Sequence, residues 1–408
     1  MALFSKVTTR VEVMGAGIRS MFAVGTVLAG VVSSVAGAAE VSVVGGTCVR
    51  VDGTPFFPIG VYSAGDPRDF AMLAEAGFNT VQTYSWEGER CWADGEAWLD
   101  GAHAHGLKCL VGLYRADVKA MNFEATARRI ETYRDHPALL AWHTMDEPEW
   151  DEAKNQGQVY MPAVYALIKE HDPNHPVTAV VCRFRDTRLF QPSVDVLQAD
   201  YYPVPPIPAS WYAGKGFRGV QMYAERWREA CGGTKPFWYV GQVFDFSVSK
   251  EKKYDVPDEW KRPPTREELR CMTYTAVASG ARGIFYWSLL RVFRDEWNRT
   301  VSSSVRLWED LKSIVDELNT LMPLLTADTP ETIQNESGVV SMVKSDGAHT
   351  YIIVANYERK AAQARIRVPG LKDADAEVLF EGGKASVVAG TLEAGLAPIE
   401  SHVYRVGG

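Results

Sequence analysis

Leu139-Leu140-Ala141-Trp142-His143-Thr144-Met145-Asp146-Glu147-Pro148 decides how the rest of the chain is read. It is apolar for nearly its whole length and then turns abruptly acidic. A strand that is apolar without alternation is covered on both faces, as parallel strands are. Seven further runs share its character: Phe56–Tyr62, Phe78–Tyr84, Leu107–Leu113, Val177–Phe184, Val194–Tyr201, Phe237–Phe244 and Gly283–Leu289. Amphipathic segments lie between them, among them 69–76, 95–105, 125–136, 159–171, 266–279 and 304–321, with apolar residues three and four apart. Gly77, Gly106, Pro173 and Pro176 punctuate the helix ends.

Eight strands alternating with helices over residues 55–326 predict a (β/α)8 TIM barrel, an α/β fold. A doubly wound open sheet would place a Gly-rich phosphate loop after its first strand, and Gly60-Val61-Tyr62-Ser63 is not one. Residues 40–54 read as an N-terminal β-hairpin, with Asp52-Gly53 as turn, that could plug the barrel floor. From Thr332 the period changes to two, and Gly and Asp turns separate short strands. Residues 332–408 are expected to form a small C-terminal all-β sandwich.

Residues 1–38 read as a signal peptide. Lys6, Arg10 and Arg19 precede an apolar run from Met21 to Val35, and Ala36-Gly37-Ala38 has the small-x-small pattern of a cleavage site. The protein is therefore expected to be secreted or periplasmic, without stable membrane insertion after signal cleavage; an uncleaved anchor is the alternative. The 408 residues carry a net charge of −8, which argues against nucleic acid as a partner. The six cysteines show no CxxC spacing, and the eight histidines show no HExxH, so neither a metal nor another cofactor is expected. Export would permit disulfides, although Cys109 and Cys182 lie in apolar runs and read as buried thiols. Gly-x-Ser-x-Gly is absent from the sequence.

Barrel enzymes place chemistry at the C-terminal ends of their strands. Asp146 and Glu147 stand there on strand four, flanked by Trp142 and Trp150. Like charge and aromatic walls should raise a carboxyl pKa, as a general acid needs. Glu147 is the expected proton donor, with Asp146 positioning it or contacting substrate. Aromatics near strand ends would pack against the C–H face of a pyranose: Tyr62, Tyr84, Trp86, Tyr114, Trp142, Tyr201, Tyr202, Trp238 and Trp287, about half of them core. Of these, Tyr84, Trp86, Tyr201, Tyr202 and Trp287, together with Gln242, are the substrate-binding candidates, and the Tyr201-Tyr202-Pro203 stretch is the preferred platform. Gln82, Arg183 and Ser288 are candidate hydroxyl binders. The charged stretch 250–262 reads as a solvated loop or a lid.

The stretch 140–148 resembles the strand-four signature of the clan A glycoside hydrolases, in the manner of the barrels of families 2, 5 and 42. Ser279–Ser288 resembles the clan's eighth strand, whose Trp floors the sugar site, and Leu396–Arg405 is similar to the terminal β-modules of such enzymes. The resemblance implies hydrolysis of O-glycosidic bonds in an oligo- or polysaccharide. It also implies a nucleophilic glutamate at the end of strand seven, where this chain carries Gln242; where the clan has Asn before the acid, this chain has Asp146. An amide cannot form a glycosyl ester as a carboxylate does. Three chemistries follow. Asp200, Asp245 or Glu87 could be the second catalytic carboxylate. The substrate's own acetamide could attack, oriented by Asp146 or Gln242. The barrel could instead bind carbohydrate as a degenerate scaffold.

Overall fold

The computed structural model describes residues 39–45, 48–84, 95–150, 156–204, 215–244, 262–293 and 301–407. The leader 1–38 lies outside them, as do Trp86, Glu87, Cys91, Asp245 and all of the charged stretch except Arg262.

Eight parallel strands close into a barrel: Ile59–Val61, Thr80–Gln82, Lys108–Gly112, Leu139–Asp146, Val177–Val181, Val196–Asp200, Phe237–Gln242 and Ile284–Trp287. Each falls within one of the eight apolar runs or extends it by a residue. They are apolar on both sides because both sides are covered. In strand seven, Phe237 and Tyr239 pack among the helices, while Trp238 and Val240 fill the barrel with Leu110, Val180 and Phe285.

Helices Phe70–Glu75, Gly95–Ala104, Phe123–Tyr133, Gln156–His171, Arg218–Cys231, Arg266–Ala278 and Val301–Thr320 surround the barrel. Two of them end at glycines with φ near +84° and +62°, Gly77 just beyond the first and Gly232 at the cap of Arg218–Cys231. Thr265 and Glu268 form a capping box at the start of Arg266–Ala278. Gly219 has a different role. A Cβ there would come 2.1 Å from the Tyr201 ring, so glycine lets that helix close over the tyrosine.

The N-terminal segment forms three antiparallel strands, Val41–Val44, Cys48–Val51 and Thr54–Phe56. Asp52 and Gly53, both at positive φ, make the two-residue turn between the second and third, where a two-strand hairpin had been expected. Val41, Val49 and Val51 join the apolar cluster of the barrel interior.

The C-terminal residues form eight antiparallel strands hydrogen-bonded in one continuous order. The sheet curls around its own core of Ile352, Val354, Ile366, Leu392 and Leu396. Its edge strands Thr332–Glu336 and Ala362–Arg367 meet through side chains: Gln334 bonds the Arg367 backbone, and Glu336 accepts from the Arg365 N–H. Against the barrel, Arg270 pairs with Glu317 at 2.8 Å and Glu381 at 2.6 Å and also donates to the Ser401 carbonyl. Cys109, Cys182, Cys231 and Cys271 are buried free thiols, as the apolar runs around Cys109 and Cys182 suggested. No helix among the described residues is long and apolar enough to cross a membrane.

Candidate functional site

The site begins with an irregularity in strand four. His143 pairs with Thr178 and Asp146 with Val180, so three steps on strand four match two on strand five. Such a bulge resets which side chains face inward. Before it, Trp142 points to the helices, where its Nε1 donates to Asp172 at 2.7 Å. His143 faces the barrel interior, edge-on to Tyr62. After it, Asp146 lies near Tyr62 and Tyr84, whose hydroxyl pKa values are raised by burial first and by the charge of Asp146 second. Glu147 then turns the chain at φ 51°, a left-handed conformation uncommon for a non-glycine residue. Its N–H donates to the Val180 carbonyl at 3.0 Å, and its carbonyl accepts from Trp150 N–H at 3.1 Å.

That turn brings Glu147 to Asp200 at the end of strand six. Ligand atoms of Glu147, Asp200 and Cys182 lie within 4.8 Å of one another, and the two carboxyl groups are in hydrogen-bonding contact. Glu147 is half-buried and Asp200 only 5% exposed. Burial pushes the Asp200 carboxyl well above the usual range, and Glu147, Asp146 and Glu149 push it further. A raised carboxyl therefore stands at the end of strand six, where burial is nearly complete.

Glu149 backs the turn. Its Oε1 accepts from the backbone N–H groups of Cys182 at 2.6 Å and Arg183 at 2.9 Å, and burial raises its pKa to about 7. Arg183 returns a bond to the Glu149 carbonyl at 2.8 Å and pairs with Asp186 at 2.6 Å. Below the carboxylates, His143 is buried with neither ring nitrogen hydrogen-bonded, and desolvation lowers its pKa to about 4. Gln82 is likewise buried with its amide unpartnered. Buried polar groups left unpaired are rare and cluster where function demands them.

The aromatic candidates divide. Tyr62 and Tyr84 stand 5.6 Å apart between centroids beside the carboxylates. Tyr202 and Trp287 meet Phe244 edge-on, at 4.9 and 4.8 Å. Tyr201 goes the other way, buried against Tyr223 beneath helix Arg218–Cys231, so the expected two-tyrosine platform reduces to Tyr202. Trp238 packs on Phe285 deep in the barrel. Gln242 is fully buried, and its amide is spent on backbone: Oε1 accepts from Val204 N–H at 3.0 Å, and Nε2 donates to the carbonyls of Val204 and Phe244. It fastens the loop after strand six to the end of strand seven, so the structure gives no support to its substrate-binding candidacy.

Sequence reasoning passed over His143, Cys182, Glu149 and Phe244. Phe244 carried a signal, an aromatic at the end of an apolar run; the others depend on bulge and loop geometry. One thiol and two carboxylates, those of Cys182, Glu147 and Asp200, make a group of three possible metal ligands among the described residues.

No family model and no curated protein matches the chain. Solved structures do. A glycoside hydrolase superposes with a TM-score of 0.64 at 15% identity, covering 91% of this chain and 97% of that one. A glycoside hydrolase family 5 protein from Bacteroides vulgatus gives 0.62 at 14%, covering 90% and 93%. A family 27 β-L-arabinopyranosidase from Geobacillus stearothermophilus, in complex with arabinose, gives 0.55 at 12%, covering 86% and 97%. At these identities the likeness is one of fold: the chain has the architecture of the barrel glycoside hydrolases.

Proposed function

We propose that the protein is an exported glycoside hydrolase that cleaves O-glycosidic bonds of an oligo- or polysaccharide, with Glu147 as general acid/base. The observation that carries this is the contact between Glu147 and Asp200 at the C-terminal mouth of a closed barrel, beside Tyr62, Tyr84 and the Tyr202–Phe244–Trp287 cluster. Paired carboxylates are the equipment of glycoside hydrolysis. Carboxyl groups whose nearest oxygens lie within 4.8 Å are closer to the spacing of retaining enzymes than to the wider spacing of inverting ones, so the contact favours retention.

Two like charges this close hold one proton between them. At rest burial favours that proton on Asp200; in the competent arrangement it has passed across the contact to Glu147, and Asp200 is ionised. Glu147 gives the proton to the glycosidic oxygen as the C1–O bond breaks, and Asp200 attacks C1 to form a glycosyl ester. Glu147, now a carboxylate, takes a proton from water, whose oxygen attacks C1 and releases Asp200. On a 2-acetamido sugar the substrate's own carbonyl oxygen, oriented by Asp146, could replace Asp200. Export rests on the leader pattern of residues 1–38.

The second reading is a carbohydrate-binding scaffold without hydrolysis. Gln242 favours it, since an amide locked onto backbone stands where the resemblance places a nucleophile. Release of nitrophenol from an aryl-glycoside panel by wild type and Glu147→Gln separates the two. Hydrolysis by wild type that collapses in the variant supports the enzyme; oligosaccharide binding by both without hydrolysis supports the scaffold.

A further inference from the structure

Three neighbouring strands each bring one metal-ligating side chain to the same point. Glu147 follows strand four, Cys182 follows strand five and Asp200 ends strand six, and these strands pair in that order around the barrel. One ligand atom of each lies within 4.8 Å of the other two. No spacing along the sequence announces the group, because its members come from separate strand ends. Cys182 and Asp200 are buried, while half-buried Glu147 gives the group an approach from solvent. A second observation points to a ligand. Asp200, only 5% exposed, keeps Oδ1 without a hydrogen-bond partner, and so does Oε2 of buried Glu149, whose Oε1 holds the Cys182 and Arg183 backbone. A buried oxygen without a protein partner is one that an ion or water serves. Asp146 and Glu149 add negative charge beside Asp200, and the nearby Arg183 guanidinium is engaged by Asp186 and the Glu149 carbonyl.

The donor set selects the ion. Sulfur beside oxygen suits a borderline-soft divalent ion such as zinc, whereas magnesium and calcium take oxygen alone. Zinc bonds of about 2.0–2.3 Å hold tetrahedral ligand atoms about 3.5 Å apart, so a group within 4.8 Å closes on the ion by roughly 1 Å. We propose that Glu147, Cys182 and Asp200 form a reversible site for a thiophilic divalent cation, zinc above all, which switches hydrolysis off by occupying both catalytic carboxylates. Ligation forms two metal–oxygen bonds and one metal–sulfur bond. It releases to solvent the thiol proton and the proton held between the carboxyls. Glu147 then has no proton to give, and Asp200 no free oxygen to reach C1. The inhibition rests on the hydrolase reading above; the binding site does not.

The test takes the whole protein, stripped of metal with EDTA and dialysed, and titrates it separately with the chlorides of zinc, cadmium and magnesium. Cadmium should raise the ultraviolet charge-transfer band of a cadmium–thiolate bond, and calorimetry should show zinc bound in a way that magnesium does not displace. Cys182→Ser should abolish the band and weaken zinc at least about tenfold, and Asp200→Asn should weaken zinc by a similar factor. If Asp200→Asn folds poorly, Glu147→Gln at the half-buried position supplies the same comparison. Zinc should also stop hydrolysis of an aryl glycoside that the wild type cleaves, and EDTA should restore it. A band that survives in Cys182→Ser, or a zinc affinity that the variants leave unchanged, would overturn the site. Hydrolysis that continues in zinc-saturated protein would overturn the switch. Band and affinity are read without substrate, so a protein that binds zinc through Cys182 yet cleaves no glycoside keeps the site and sinks the hydrolase reading alone.

Discussion

The carboxyl groups of Glu147 and Asp200, 53 residues apart in sequence, meet at the barrel mouth in hydrogen-bonding contact, with Asp200 buried and Glu147 on the rim. The meeting is made by a bulge in strand four and by the left-handed turn at Glu147. Its consequence is an Asp200 carboxyl that holds its proton tightly, through burial first and then the charge of the carboxylates around it.

Asp200→Asn keeps the shape of the floor but removes one of the two coupled ionisations. The kcat/KM profile against pH should lose one limb, and turnover should fall by about 10⁴ or more, as loss of a nucleophile does. A profile retaining both limbs at near wild-type rate would remove Asp200 from the chemistry.

Glu149 makes a prediction about stability. Its carboxyl is raised from 4.5 to about 7 by burial. As pH rises past 4.5 the unfolded chain releases this proton first, so in that window the folded state binds more protons and stability falls as pH rises. The loss is complete above about 7 and is on the order of 3 kcal/mol. Glu149→Gln can still accept from the Cys182 and Arg183 amides, so urea unfolding of that variant should show a flatter pH dependence. An unchanged slope would mean that Glu149 is not the titrating group.

Gln242→Glu would turn a carboxylate oxygen toward the carbonyls of Val204 and Phe244, where Nε2 now donates. Restoring the residue type that the clan A resemblance expects should therefore fail to raise hydrolysis and should cost about 2 kcal/mol or more in thermal unfolding. A stable and more active variant would show that the amide is not a structural clamp.

The barrel was legible because parallel strands buried on both faces write continuous apolar runs, and all eight were found. Helix Arg218–Cys231 was missed: between its apolar positions lie Arg226, Arg228, Glu225 and Glu229, and the stretch reads as polar until its buried face is seen. Strands Lys384–Val388 and Thr391–Leu396 are half-exposed and short, which hides them between the better-marked neighbours. At the site, residue types were readable and their directions were not. Whether Trp142 or His143 faces inward depends on the strand's parity, and Asp146 regains the interior only through the bulge. The fate of the Gln242 amide depends on the backbone of Val204, 38 residues away. No local pattern carries that information.

The most direct test of the account is the leaving-group dependence of Glu147→Gln. A variant lacking its proton donor should lose about 10²–10⁴ in kcat/KM on glycosides with basic leaving groups and progressively less as the leaving group becomes more acidic, with dinitrophenyl glycosides nearly spared. A loss of the same size on every leaving group, or no loss at all, would contradict Glu147 as the general acid.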